Sequence, residues 1–287
     1  MTQTTTDHDL VKLTVTDGVA VLTWNRPERN NAWTVPMETR YYQLLEQCAQ
    51  DTSVRVIVVT GAGRSFCPGM DAHVLADNAQ TGATTNPHLR KPFTLPRTIP
   101  KPIIAAINGA CAGIGLVAAM NCDLRFASST AKLTTSFAHR GIMAEHGLAW
   151  SLPRAVGVST ALDLLFSARV ILAQEALDLG VVDRVYEPDE LMPETLEYAR
   201  NLAVYSSPLA MGVIKRQVYA AQESSHEEAR ALALRYWMGI LRHHPDFKEG
   251  ISSYLEKRPP RFAPWDPLTP TDPPRYPARR QGHRDDT

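Results

Sequence analysis

Two β-rich runs that each end in a glycine loop constrain this chain most. Val54–Thr60 (V-R-V-I-V-V-T) leads into Gly61-Ala62-Gly63, and Ile103–Ile107 leads into Asn108–Gly115 (N-G-A-C-A-G-I-G). Neither run alternates cleanly between apolar and polar residues. Each reads as a strand buried on both faces, the habit of parallel sheets covered by helices.

The surrounding pattern fits that arrangement. Leu10–Thr16 and Val19–Asn25 alternate apolar and polar residues around Asp17-Gly18, a hairpin signal, and Asn25-Arg26-Pro27 ends the second strand. A helix is expected over Thr34–Ala49, with Thr34 as its cap and Pro36 in its first turn. Leu116–Asn121, Ala161–Ser167 and Ala173–Leu179 read as helices, the last stopped by Gly180. Asp123–Ala127 and Val181–Tyr186 read as strands, and residues 76–100 as a variable helix-and-loop segment. From Leu191 to Leu255 the chain is helical, with an apolar stripe of Leu232, Leu234, Met238 and Leu241. The alternation predicts an α/β domain with a helical C-terminal part. Four segments follow: 1–9, a core over 10–190, helices over 191–258, and a proline-rich tail over 259–287 that Phe262 and Trp265 would pin.

Among the 287 residues, 30 Lys and Arg balance 30 Asp and Glu. A net charge of zero gives no general field for nucleic acid or an anionic membrane. Cys48, Cys67, Cys111 and Cys122 match neither a zinc site nor a disulfide framework, which suits a reducing cytoplasm. No apolar run reaches the roughly 18–20 residues that span a bilayer, and the N-terminus lacks the apolar stretch of a signal peptide. The expectation is a cytoplasmic protein with no nucleic-acid, membrane or metal partner.

Glycine lets main-chain N–H groups approach a ligand, and two such loops can aim two donors at one oxygen. Strand-to-helix turns need glycine for steric reasons alone, so the loops by themselves leave a plain turn open. The phosphate-loop pattern G-x-x-x-x-G-K-[ST] is absent.

The loops G-A-G-R-S-F-C-P-G-M-D (61–71) and K-P-I-I-A-A-I-N-G-A-C-A-G-I-G (101–115) together resemble the signature of the crotonase (enoyl-CoA hydratase/isomerase) superfamily. Asn25-Arg26-Pro27 with Asn31-Ala32, Leu152-Pro153-Arg154, Ala173–Val182 and E-K-R-P-P at 256–260 fit it as well. The resemblance implies a repeated β-β-α spiral core with C-terminal helices used in trimer assembly, as a homotrimer or a dimer of trimers. It implies an acyl-CoA thioester whose carbonyl is held by the N–H groups of Met70 and Ile114. Each such donor is typically worth roughly 3–4 kcal/mol in the transition state. Arg29, Ala32, Asp71, Ala72 and Gly113 would meet the coenzyme A or acyl part. Coenzyme A enters as part of the substrate, and no other cofactor is implied.

Family hydratases use two glutamates, and this chain carries Val117 and Phe137 at those positions. Neither transfers a proton, so a two-glutamate hydration is disfavoured. The acid–base candidates are His139, Glu145 and His146. Glu145, among Ile142, Met143, Ala144, Leu148 and Trp150, is expected in an apolar setting that favours its neutral form. Its alignment also resembles that of 3,2-trans-enoyl-CoA isomerases, which implies one-base isomerisation with Glu145 as base and His146 assisting. A first-turn helix glutamate is the plain alternative for Glu145. His139 with Arg140 reads as structural, Trp33 and Trp150 as pocket or core aromatics, and Arg64 and Lys257 as solvated cations or phosphate contacts. Cys67 is not read as a nucleophile, nor His243-His244 as a metal site. Two further readings stay open: a divergent crotonase (hydratase, hydrolase or C–C lyase) on a bulkier acyl-CoA, and a non-catalytic acyl-CoA binding subunit.

Overall fold

A computed structural model describes residues 9–81, 90–264 and 266. Strands β1 (Val11–Thr16) and β2 (Val19–Trp24) pair antiparallel, with Val11 opposite Trp24 and Thr16 opposite Val19. Asp17 and Gly18 turn between them with φ of 52° and 78°, the left-handed pair that a tight hairpin requires.

From β2 onward the large sheet is parallel. It adds β3 (Val56–Gly61), β5 (Ile103–Ile107), β7 (Leu124–Ser128) and β10 (Arg184–Tyr186), in the order β1-β2-β3-β5-β7-β10. Every residue of β3 and β5 is buried, as their unbroken apolar character requires. Short strands β4 (Ser65–Cys67), β6 (Ala110–Ala112), β8 (Lys132–Thr134) and β9 (Ile171–Leu172) form a second sheet in that order. Each of the next three turns of the chain gives one strand to the large sheet, one to the small sheet, then a helix. The turn β3-β4 leads to α2 (Ala72–Thr81) and α3 (Leu95–Thr98), and β5-β6 leads to α4 (Ile114–Met120). Strands β7-β8 lead through a short turn at Ala138–Arg140 to α5 (Leu148–Val156) and α6 (Val158–Ser167). This is the spiral of strand, strand and helix that the resemblance implies.

Helix α1 (Val35–Gln50) begins where Thr34 Oγ1 accepts from Met37 N–H at 3.4 Å. Its Met37, Tyr41, Leu44, Leu45 and Cys48 recur at helical spacing and are buried under the large sheet. Truncating such a leucine to alanine costs about 2–5 kcal/mol. The opposite face of the sheet is covered by α8 (Leu191–Tyr205), whose Leu191, Ala199 and Ala203 pack on Val56, Val58, Ile104, Ala106 and Phe126. Helices α9 (Pro208–Ala221), α10 (His226–Gly239) and α11 (Pro245–Leu255) complete the C-terminal part.

Several expectations are corrected. The strand expected from Val54 begins at Val56: Arg55 N–H donates to Gly18 O, and its guanidinium reaches Ala203 O at 2.8 Å and Phe262 O at 3.0 Å. The 108–115 loop contains β6, which is too short to show periodicity. The strand expected from Val181 starts at Arg184, because the Val181 and Val182 N–H groups both turn back to Ala176 O at the end of α7 (Ala173–Asp178). The apolar stripe divides. Leu232 and Leu241 pack against Leu209, Val213 and Tyr236, whereas Leu234 is 54% exposed. Positions i and i+2 on a helix are about 200° apart, so Leu234 cannot share the face of Leu232.

Phe262 packs on Gly250, and the N–H groups of Arg261 and Ala263 reach Glu249 and Asp246. Trp265 lies outside the described residues. Among the described residues, no helix is long and apolar enough to cross a membrane.

Candidate active site

The two glycine loops meet backbone to backbone. Strands β4 and β6 pair in parallel, with Ser65 beside Ala110 and Cys67 beside Cys111. A Cβ on Gly115 would lie 2.2 Å from Cys67 O, so only glycine lets α4 approach the first loop. Gly113 has φ of 50°, and a Cβ on it would lie 4.0 Å from Gly69 Cα. Met70 and Ile114, the next residue on each loop, are therefore neighbours across the contact.

Their surroundings are held by main-chain bonds. Trp33 N–H donates to Gly69 O at 2.8 Å, Asp71 N–H donates to Trp33 O at 2.9 Å, and Gly113 N–H donates to Thr134 O at 3.2 Å. Met70 is thus clamped beside Trp33, and Ile114 opens α4. Among the described residues, neither the Met70 N–H nor the Ile114 N–H donates to a protein acceptor. First-turn N–H groups have no intrahelical partner, which leaves Ile114 available for a ligand oxygen.

Asp71 is bound by its own chain. Its carboxylate accepts from His73 N–H at 3.1 Å and meets the guanidinium groups of Arg26 at 3.3 Å and Arg29 at 3.5 Å. Burial pushes this carboxyl up, but the His73 N–H and Arg26 bonds outweigh it and hold the group below its ordinary value. Arg26 also donates to Ala32 O. Arg29 remains 44% exposed and lines an open cleft with Arg26, Thr34, Asp71 and His73. Ala72 is exposed at the start of α2.

Behind Met70 lies a group that the sequence reading missed. Trp33 Nε1 donates to buried Glu38 Oε2 at 2.9 Å, and Arg90 closes on both oxygens of that carboxylate. The signal was weak, since Glu38 and Arg90 stand 52 positions apart. Trp33 also packs on Phe93 at 5.5 Å between ring centres, and Phe93 packs on His146 at 4.3 Å. Arg90 feels the charge of Glu145. The 90–95 segment thus joins the Trp33–Met70 wall to the Glu145–His146 turn.

Glu145 precedes α5 rather than occupying its first turn, and Leu148 N–H donates to its carbonyl at 3.0 Å. The apolar enclosure expected around it is absent: Glu145 is half-buried, and Met143 is 75% exposed. Ile142, Ala144 and Leu148 pack into the core, and the turn carries His146 at φ 53° and Gly147 at φ 81° before α5 begins. Among the described residues Glu145 forms no salt bridge. His146 keeps an exposed edge. The burial of its other face against Phe93 lowers its pKa, opposed by the nearby Glu145 charge.

Val117 is fully buried in α4, and Phe137 is buried beside the Ala138–Arg140 turn. Trp33 is a core residue in contact with Trp24 and Tyr41, whereas Trp150 lies between Arg97 and Arg154. His139 is exposed, and Arg140 donates to Ser136 O. His244 caps α11 by accepting from Asp246 N–H, and His243 is exposed. Arg64 donates to Asn30, and Lys257 is exposed. Burial pushes the Cys67 thiol up to about 12, so it carries no thiolate at neutral pH.

Comparison with known proteins agrees with this architecture. The profile of the family described as Enoyl-CoA hydratase/isomerase matches residues 14–264. The chain is 35% identical to Enoyl-CoA hydratase AFT3-1 of Alternaria alternata, over 86% of this chain and 83% of that one. It is 31% identical to 1,2-epoxyphenylacetyl-CoA isomerase of Escherichia coli, over 86% of this chain and 96% of that one. The fold superposes on the crystal structure of a probable enoyl-CoA hydratase/isomerase from Mycobacterium abscessus with a TM-score of 0.82 and 28% identity, covering 89% and 99% of the two chains. A spiral of paired strands, two glycine loops in backbone contact and a profile match over most of the chain establish that this protein belongs to the enoyl-CoA hydratase/isomerase family of the crotonase superfamily.

Proposed function

We propose that this enzyme moves the double bond of a 3-enoyl-CoA to the 2 position with Glu145 as its single base. The observation that carries the reading is a contrast of positions. Valine and phenylalanine stand where hydratases of this family resemble one another in carrying glutamate, while Glu145 sits, without a salt bridge among the described residues, on the turn joined to the Met70 wall. Glu145 removes a proton from C2, and the electron pair shifts onto the thioester oxygen. The N–H groups of Met70 and Ile114 take that oxyanion. Collapse of the enolate reforms the carbonyl, moves the double bond to C2–C3, and returns the proton from Glu145 to C4. One group both accepts and delivers the proton, so no second acid is needed. His146 flanks Glu145 as a neutral ring.

Coenzyme A enters as part of the substrate, with Arg29 at the open cleft meeting its phosphates. Assembly as a homotrimer or a dimer of trimers is supported by apolar side chains that the single chain leaves exposed, among them Phe166 of α6, Ile214 of α9 and Tyr254 of α11. A second reading is favoured by the E. coli relative, whose name specifies a ring-bearing acyl group. It is a divergent crotonase acting on a bulkier acyl-CoA.

The test is incubation of purified protein with a 3-enoyl-CoA and, separately, a 2-enoyl-CoA in water, with products followed by mass. The expected result is an isomer of unchanged mass from the 3-enoyl ester, lost in Glu145→Gln with the fold intact. A gain of one water from the 2-enoyl ester would replace the one-base reading by hydration through Glu145 and His146. Turnover of neither ester would favour the bulkier-acyl reading.

A further inference from the structure

The cleft between α3, α5 and α9 holds a cation that the reaction above does not use. Arg97 of α3 lies with its guanidinium carbon 4.5 Å from the ring centre of Trp150 and 5.2 Å from that of Tyr219. Arg154 stands 4.0 Å from the same Trp150 ring. Arg97 Nη2 reaches Met120 O at 3.5 Å, and its buried Nε finds no acceptor among the described residues. Asp123 is the acid whose charge reaches Arg97, yet its carboxylate is already committed. It accepts from Lys215 Nζ at 2.7 Å, Tyr219 OH at 2.9 Å and Ile103 N–H at 2.7 Å. Burial, and then repulsion from Arg125 and Arg154, hold the Arg97 guanidinium below its ordinary pKa.

A guanidinium held between two rings, with no carboxylate in salt-bridge contact among the described residues, is an incomplete arrangement. Desolvation is costly, and the planar fork that would recover the cost by gripping two oxygens holds only the Met120 carbonyl, at 3.5 Å. The space beside it is a cavity of about 520 Å³ whose walls include Arg97, Gly147, Trp150, Tyr219 and two further cations, Lys215 and Arg216, against one acid, Glu223. Small-molecule sites span roughly 300–1,000 Å³ and combine aromatic walls with a few polar anchors. Gly147 is two residues from Glu145, so the cavity starts beside the turn that holds the proposed base.

We propose that this cavity binds an organic carboxylate, with Arg97 taking the carboxylate and Trp150 and Tyr219 flanking the carbon skeleton. The carboxylate has two sources: the far end of an acyl-CoA seated on the glycine loops, or a free acid. The first source rests on the isomerase reading; the second does not.

Two measurements on the full chain separate these cases. In the first, calorimetric titration compares benzoate with benzamide, which has the same shape without the charge. Benzoate is expected to bind and benzamide not, and Arg97→Gln is expected to weaken benzoate at least about tenfold, the scale of a lost charge-assisted bond. Arg97→Lys, with a thermal melt, controls for folding. If Arg97→Gln does not fold, the benzoate–benzamide contrast in the unaltered protein decides alone. In the second, turnover of 3-hexenedioyl-CoA is compared with that of 3-hexenoyl-CoA. A preference for the diacid of about tenfold in kcat/KM, lost in Arg97→Gln, assigns the carboxylate to the substrate. Equal turnover with benzoate bound assigns it to a free acid. Benzoate binding by a protein inactive on both esters keeps the cavity's role and sinks the isomerase reading. Failure to distinguish benzoate from benzamide, with no preference between the esters, overturns the proposal.

Discussion

Trp33 Nε1 donates to Glu38 Oε2 at 2.9 Å, and that carboxylate also takes the Arg90 fork, so one buried acid ties the wall behind Met70 to the segment that reaches His146. Glu38→Gln keeps the volume but removes the charge facing Arg90. Breaking the pair on one side removes its charge-assisted bonds while the desolvation of Arg90 remains. The expected loss is about 3 kcal/mol of stability, read from the midpoint of a urea unfolding curve. An unchanged midpoint would mean that the pair contributes nothing.

Gly115 and Gly141 make a matched comparison. Gly115→Ala drives a Cβ toward Cys67 O, a main-chain atom that cannot yield without moving the first loop. Turnover is expected to vanish and the melting temperature to fall. Gly141 has φ of 65° but nothing within 4 Å of an added Cβ. Gly141→Ala is expected to cost only about 1–2 kcal/mol of backbone strain and to keep its activity.

All four cysteines are buried, and burial raises their thiols. A thiol reagent at neutral pH is expected to label none of them at a rate faster than unfolding. Rapid labelling of Cys67 in the native protein would contradict its burial within the first loop.

Restoring a hydratase glutamate is expected to fail. Val117 is enclosed by apolar neighbours, and a lone carboxylate there has no counter-ion. Val117→Glu should lose about 3 kcal/mol or more and gain no hydration of 2-enoyl-CoA. Water addition by this variant, detected by product mass, would show that the position remains catalytically competent.

His146 supplies a pH dependence of known sign. Its pKa is lowered by burial in the folded protein, so the unfolded chain binds the proton more readily. The stability it contributes is present above its ordinary value of about 6.5 and is lost as pH falls through the lower folded value. The difference in unfolding midpoint between about pH 7.5 and about pH 5 should therefore shrink in His146→Gln. The change is modest because one edge of the ring stays in water.

Local signals carried much of this fold into the sequence. The Asp17-Gly18 hairpin, the Thr34 cap and the Ile103–Ile107 strand depend on neighbouring residues, and each is found where the pattern places it. The second sheet was hidden because its strands are two or three residues long and pair only across the spiral. The setting of Glu145 was misread for a related reason. A string of apolar neighbours says nothing about which way a left-handed turn at His146-Gly147 aims each one. Contacts between distant segments, such as Glu38 with Arg90 or Arg55 with Phe262, leave no periodic trace.

The bare contact of Gly115 with the Cys67 carbonyl has one more consequence. Because no side chain lies between the loops there, the gap from Met70 to Ile114 is fixed by main-chain geometry. Side chains around the contact can differ without altering that spacing. The backbone acts as the ruler between the two loops, and side chains only dress the space around it.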